Sequence, residues 1–502
     1  MTQDWIRIHP DDTVAVVTCE TAAGQDLGGG LISRDDIPLA HKVALTDLAP
    51  GDAVIRYGAR LGTARVPIPR GGHVHEQNIL EALPPDLDRL EAEPFAAPFV
   101  SLPRPDAASF SGYRNPHGYA GTRNLLGIIP TVQCVAGVLN QAVDRIRADL
   151  LPRYPHVNGV VVLNHDYGCG VAIDAPEAVI PIRTLQSLLH HPNFAADPLV
   201  VGLGCEKLTP QRLMGPERAS DVLMLQDFAG YDAMLAAILA RAEQKLVRLE
   251  KRRRETLPLS QLIIGVQCGG SDAFSGMTAN PAVGIASDLL VASGATVLFS
   301  EVSEVRDAVH LLASRAASPE VRARLIGEMR WYDRYLAAGG VDRSANPTPG
   351  NKQGGLSNIV EKAMGSVAKS GRAPIAEVLA PGQRPTRSGL IFAATPASDL
   401  VCGSEQLASG ITLQVFTTGR GTPYSLAAAP VIKVSSQSNL QSFWQDLIDF
   451  DAGRIISQRQ ALSQAGQALF RQILAVAGGE KTCAEARGLT NDFCIFNPAP
   501  VT

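Results

Sequence analysis

The feature that most restricts the fold of this 502-residue chain is one pattern repeated five times. A short apolar run ends in a cluster of glycines, cysteines and hydrogen-bonding side chains. The clearest copy is Gln261-Leu-Ile-Ile-Gly-Val-Gln-Cys268-Gly-Gly-Ser271-Asp272. Leu262 to Val266 has the length and β-branched content of a strand buried on both faces. The adjacent glycines let the backbone turn sharply and approach a ligand. Ser271 or Asp272 is then expected to N-cap a helix running through Leu290. The pattern recurs over residues 127–134, 160–170, 199–207 and 411–424. Ligands of open α/β sheets bind beyond the carboxyl ends of the strands. A chain that keeps ending strands in reactive groups therefore reads as an enzyme.

The length exceeds what one hydrophobic core supports, and the punctuation divides the chain. Residues 1–90 read as a small β-rich module, 91–112 as a Pro/Ala/Asp-rich linker, 113–255 as an α/β domain and 256–502 as a second, C-terminal α/β domain. Alternation of strands and helices in the last two predicts largely parallel sheets. A formal charge of −4 gives no electrostatic reason to expect nucleic acid or an anionic membrane. The basic run 251–254 reads as the solvated end of a helix that begins near Tyr231. No apolar stretch reaches membrane-spanning length and no secretory design opens the chain. Eight scattered cysteines without disulfide spacing point to a reducing cytoplasm.

Two stretches carry candidate chemistry of their own. In an extended segment His73 and His75 face one side, next to Glu76, which suits a borderline divalent metal; two exposed histidines at a strand end are the alternative. Residues 343–355 form a Pro/Gly/Asn loop holding Asn351 and Lys352 among amide donors, as in a carboxylate grip, or else a plain surface loop. Dinucleotide, P-loop, serine-hydrolase and His-Glu-x-x-His motifs are absent.

Gly121-Thr-Arg-Asn124, Asn164-His-Asp-Tyr-Gly-Cys169, Gly202-Leu-Gly-Cys-Glu206, Cys268-Gly-Gly-Ser-Asp272, Thr278-Ala-Asn-Pro281, Asn346-Pro-Thr-Pro-Gly-Asn-Lys352 and Thr417-Thr-Gly-Arg-Gly-Thr-Pro-Tyr424 together resemble the altronate/galactarate dehydratases. The resemblance spans essentially the whole chain, including an N-terminal module similar to the SAF (antifreeze-like) domain. Gly168 to Ile173, Ser344 to Pro347 and the C-terminal tail look like the galactarate branch, whereas His73-Val-His75 is more like the altronate pattern. The resemblance implies a cytoplasmic hydro-lyase, expected as a homodimer. It would convert galactarate, a small aldarate, to 5-dehydro-4-deoxy-D-glucarate with Fe²⁺.

Abstraction of a proton α to a carboxylate needs a base near neutrality, for which His165 or Lys352 is the candidate, and stabilisation of the resulting enediolate. Cys268, Ser271 and Asp272 join them as catalytic candidates. Arg114, Arg123 and Arg420 are candidate carboxylate clamps, with Asn351, Thr417, Thr418 and Tyr424 beside the substrate. Metal ligation falls to His73, His75 and Glu76. A rival cofactor is an iron–sulfur cluster held by three of Cys134, Cys169, Cys205 and Cys268. Altronate dehydration and non-catalytic sugar-acid binding are the alternative functions.

Overall fold

The computed structural model describes residues 3–103, 105, 109–116 and 118–502. Residues 104 and 106–108 of the expected linker lie outside it. The N-terminal module consists of two small antiparallel sheets. One orders Trp5–Ile6, Val14–Val17, Lys42–Ala44 and His73–Val74, and the other Ala53–Arg56, Ala59–Ala64 and Ile79–Glu81. Glycine-rich turns join the strands, as their punctuation requires. The stretch that follows is less featureless than its composition suggests. Leu87–Ala92 forms one helical turn and a half, capped by the Asp86 carboxylate, and Ser109–Gly112 pairs antiparallel with Glu255–Pro258. Six residues are too few to show a hydrophobic period.

The central region is a four-stranded parallel sheet in the order Gly159–Val162, Leu125–Pro130, Leu199–Gly202, Leu223–Met224. Helices such as Ala136–Arg145, Val179–Leu188 and Tyr231–Leu249 accompany it. The basic run after the last helix is not simply solvated. Arg252 bonds Asn124 Oδ1 at 2.9 Å and Asn115 Oδ1 at 2.7 Å, and Arg254 bonds the Thr122 carbonyl at 2.6 Å. These arginines tie the helix end to the start of the domain.

The C-terminal region carries a seven-stranded sheet, ordered Ile375–Leu379, Gly389–Ala393, Thr296–Phe299, Ile263–Cys268, Leu413–Thr418, Val431–Ser435, Phe450–Asp451, with all pairs parallel. Ile263–Cys268 comes first in sequence and lies inside the sheet, with connections leaving to both sides. Its carboxyl end is therefore a topological switch point, where a crevice opens for a ligand. Every residue of this strand is buried, which is why its sequence runs apolar through Val266 instead of alternating. The helix after it begins only at Ala279, not at Ser271 or Asp272. Asp272 is captured locally, its carboxylate accepting from Ser275 N and Oγ, both at 2.8 Å. Among the described residues no helix is long and apolar enough to cross a membrane.

One buried ion cluster joins module to body. Glu361, on the helix Ile359–Val367, is fully buried and pairs with Lys42 at 2.9 Å and with Arg56, both from the N-terminal module. Its other contact is the Ser357 backbone N–H at 2.8 Å. Breaking such a buried pair on one side costs roughly 3–5 kcal/mol, because charges remain in the interior without a partner. Glu361→Gln is therefore expected to lose about that much in urea melts, with faster proteolysis between module and body. A loss under about 1 kcal/mol, the size of an exposed pair, would show that other contacts hold the module.

Candidate active site

A cavity of about 660 Å³ lies on the seam between module and body, lined by His41, His73, His75, Glu76, Lys352 and Gln353 among others. Pairing of Lys42–Ala44 with His73–Val74 brings the first two imidazoles together, with His41 Nδ1 3.0 Å from His73 Nε2. His41 Nε2 faces the Gln353 carbonyl at 3.2 Å and must donate there. Its Nδ1 then accepts from His73 Nε2–H, which leaves the His73 Nδ1 lone pair uncommitted. His75 lies tilted against His73, ring centroids 4.6 Å apart, and its Nδ1 accepts from Gln77 N at 3.1 Å. Burial is the main force that lowers all three imidazoles, and it takes His73 to about 3 with help from His75 and His41. They stand neutral at pH 7, the form that binds metal. Lys352 reaches Glu76 at 3.5 Å across the opening.

A second cavity, of about 540 Å³, opens at the switch point and is lined by Gly269, Gly270, Glu304, Asn346, Asn351, Lys362 and Asp399, among others. Behind it sits a buried charge cluster. Lys369 Nζ lies 2.9 Å from Cys268 Sγ and 3.0 Å from Glu301, while Lys362 Nζ lies 2.6 Å from Glu304. Cys268 donates to Glu304 Oε2 at 2.9 Å. Against the upward push of burial, Lys362 and Lys369 hold Glu304 down to about 2. Glu301 is driven up by burial and by Glu304. Burial and the neighbouring carboxylates push Cys268 up to about 12, so it is a thiol, not a thiolate. Donor atoms of Cys268, Glu301 and Glu304 lie within 4.8 Å of one another, close enough to hold a metal ion. The ammonium of Lys369 already balances that position, however, and two lysines offset two glutamates.

Between these cavities runs the short helix Pro349–Gln353, whose consecutive residues face opposite ways. Asn351 lines the switch-point cavity and Lys352 the seam. Asn351 is rigid, donating to the Ser271 carbonyl at 2.8 Å and accepting from Lys362 at 3.3 Å. Arg420 projects from the other side of Gln353, bonding its Oε1 at 3.3 Å in a third cavity of about 370 Å³ that also contains Asp272. Arg420 is exposed and forms no ion pair among the described residues.

The other expected site residues sit elsewhere. His165 is buried, with Nε2 on the Pro130 carbonyl at 2.8 Å and Nδ1 on Tyr167 N at 3.1 Å, so both ring nitrogens are occupied. Arg123 is buried against Glu485 at 2.7 Å and backbone carbonyls, and Arg114 forms an exposed pair with Glu255 at 3.0 Å. Thr417 bonds Asn280 at 2.7 Å, Thr418 accepts from Gly421 N at 3.0 Å, and Tyr424 packs on Phe416. These groups shape the strand end. Asp272 also accepts from Ser436 at 2.9 Å, and Ser271 Oγ is buried without a partner among the described residues.

Sequence reasoning passed over His41, Glu304, Lys362 and Lys369. The i, i+3 spacing of Glu301 and Glu304 and the i, i+7 spacing of the lysines were its available signals.

Three family models match the chain: the altronate/galactarate dehydratase SAF domain over residues 3–82, the D-galactarate dehydratase/altronate hydrolase second domain over 112–250, and the D-galactarate/altronate dehydratase C-terminal region over 259–501. Galactarate dehydratase (L-threo-forming) of Escherichia coli is 52% identical, covering 99% of this chain and 97% of that protein. Altronate dehydratase of the same organism is 34% identical over 97% of each. The β subunit of (2R)-sulfolactate sulfo-lyase from Chromohalobacter salexigens is 30% identical over 76% of this chain and 95% of its own.

The charge cluster makes a pH prediction. The folded pKa of Glu304 lies below its unfolded value of 4.5. Its stabilisation is therefore complete above that value and is lost as pH falls through about 2. Urea melts from pH 5 downward should show this fall, and Glu304→Gln should be weaker at pH 5 with a flatter decline below it. An unchanged slope would mean that Glu304 is not held by the lysines.

Proposed function

Because the chain belongs to the altronate/galactarate dehydratase family, we propose that it is a galactarate dehydratase, a cytoplasmic carbon–oxygen lyase that removes water from the diacid to give 5-dehydro-4-deoxy-D-glucarate. The relative at 52% identity favours galactarate over altronate, whose relative stands at 34%. The observation that carries the reading is the seam cavity. It gathers neutral imidazoles, a carboxylate and an ammonium in one opening that neither module nor body forms alone.

A divalent ion, Fe²⁺, suits this donor set. His73 Nδ1 and Glu76 would hold it, and His75 would join once its ring releases Gln77 N–H. When bound, it supplies Lewis-acid stabilisation of the charge that develops on the substrate carboxylate. The side chains around it do the positioning. Lys352, freed from Glu76 and with its ammonium proton passed to solvent, takes the proton from the carbon α to that carboxylate. The electron pair of the broken C–H bond moves into the carboxylate system and then expels the β-hydroxyl, which takes a proton from the Lys352 ammonium and leaves as water. Arg420, next to Gln353 on the far side of the same helix, clamps the distal carboxylate with its planar fork. A second copy of the chain completes the proposed homodimer.

Removal of metal by chelation should abolish 2-keto acid formation from galactarate, and Fe²⁺ under reducing conditions should restore it. His75→Ala should lower bound iron and kcat together; full activity of metal-free protein, or unchanged iron content in the variant, would overturn the assignment. Arg420→Lys keeps the charge but loses the bidentate contact. It should cost about 1.5–3 kcal/mol in kcat/KM, the size of a lost hydrogen bond to a charged group, with an unchanged Tm and iron content. A destabilised variant with near-normal kcat/KM would contradict the clamp.

A further inference from the structure

Among the cysteines that neither cavity uses, three stand just beyond strand ends of the central sheet. Cys134, Cys169 and Cys205 follow the strands Leu125–Pro130, Gly159–Val162 and Leu199–Gly202, which are neighbours and parallel in the central sheet. Parallel neighbours release their following loops at one edge, so the thiols emerge together. The loops are tied to one another, with Thr131 N donating to Val201 O at 2.9 Å and Lys207 N to Gly168 O at 3.1 Å. Their approach is close enough to demand glycine. Gly168 has φ +108°, and a Cβ there would lie 2.3 Å from the Thr131 carbonyl. Glu206 fixes the third loop by accepting from Leu203 N at 3.1 Å and from Thr131. The Cys134 thiol is pushed up first by desolvation and then by Cys169, with Cys205 contributing less.

Their exposure separates them from the other cysteines. Cys134, Cys169 and Cys205 are exposed, whereas Cys268 and Cys402 are buried. Free cysteine behaves as a small hydrophobe and is among the most buried residue types. Three exposed thiols on one sheet edge therefore serve no packing need. Three sulfurs converging from separate loops match the ligand arrangement of a thiophilic metal centre that keeps one coordination position open.

We propose that Cys134, Cys169 and Cys205 bind such a centre as thiolates, either an iron–sulfur cluster with one iron not bound by protein or a single soft ion such as zinc. Each thiol gives up its proton to solvent when its metal–sulfur bond forms. This site is separate from the seam and goes beyond the dehydratase reading, because it assigns residues that the proposed reaction leaves idle.

The test is metal and acid-labile sulfide analysis of the full chain, purified without oxygen and then incubated with Fe³⁺, dithiothreitol and sulfide or with Zn²⁺ alone. Iron with equimolar sulfide identifies a cluster, and one zinc per chain without sulfide identifies a single ion. In either case Cys134→Ser, Cys169→Ser and Cys205→Ser should each lose the bound centre, and Cys494→Ser should keep it. The wild-type centre should also shield all three thiols from alkylation until a chelator removes it. Iron held by the seam histidines carries no sulfide and survives these substitutions, so its loss in His75→Ala is a separate result. Failure of the wild type to retain sulfide or zinc overturns the proposal, as does retention equal to wild type in the three serine variants. A Cys134–Cys169 disulfide in metal-free protein that admits neither reagent after reduction also overturns it.

Discussion

Glu361 is the interaction on which the site depends. A carboxylate with no exposure to solvent is tolerated only because Lys42 and Arg56 reach it from another module. Those two cations would themselves be intolerable in the interior without it. Neither side is electrostatically complete alone, so the charge cluster makes docking of the module a condition of burial. Lys42 is the first residue of the strand Lys42–Ala44, directly after His41, and that strand pairs with His73–Val74. The residue that anchors the module is thus covalently next to the histidine that opens the seam.

The body contributes through a different economy of charge. Around Cys268 two lysines and two glutamates neutralise one another under the strand end, leaving the thiol protonated and the switch-point cavity walled by fixed dipoles. Pro349–Gln353 stands between this cluster and the seam, capped at its N-terminus by the reciprocal Thr348–Asn351 bonds. A capped, proline-initiated turn is rigid. It can hold Asn351 toward one cavity and Lys352 toward the other without either side chain choosing between them.

Much of the architecture was legible because it is written locally. The apolar runs that become Ile263–Cys268 and Leu413–Thr418, and the helix Tyr231–Leu249, follow from period and punctuation alone. Residues close in sequence were legible as neighbours, as with His73, His75 and Glu76, which line one cavity. The site was not legible where the partner is remote. Arg123 looked like a clamp because nothing near it in sequence announces Glu485, 362 residues away. His165 looked like a base because its acceptor, the Pro130 carbonyl, belongs to another strand end. The Asp272 cap failed for the opposite reason, since Ser275 competes for the carboxylate within one turn. Lys369 sits in an unremarkable helical segment and gains meaning only when Cys268 is 2.9 Å away.

A metal held on the seam is the claim that joins these parts, and locating the ion tests it most directly. Crystals equilibrated with Fe²⁺ without oxygen can be measured on both sides of the iron absorption edge. An anomalous peak bounded by His73, His75 and Glu76 is the expected result. Iron among Cys268, Glu301 and Glu304, with the seam empty, would contradict it.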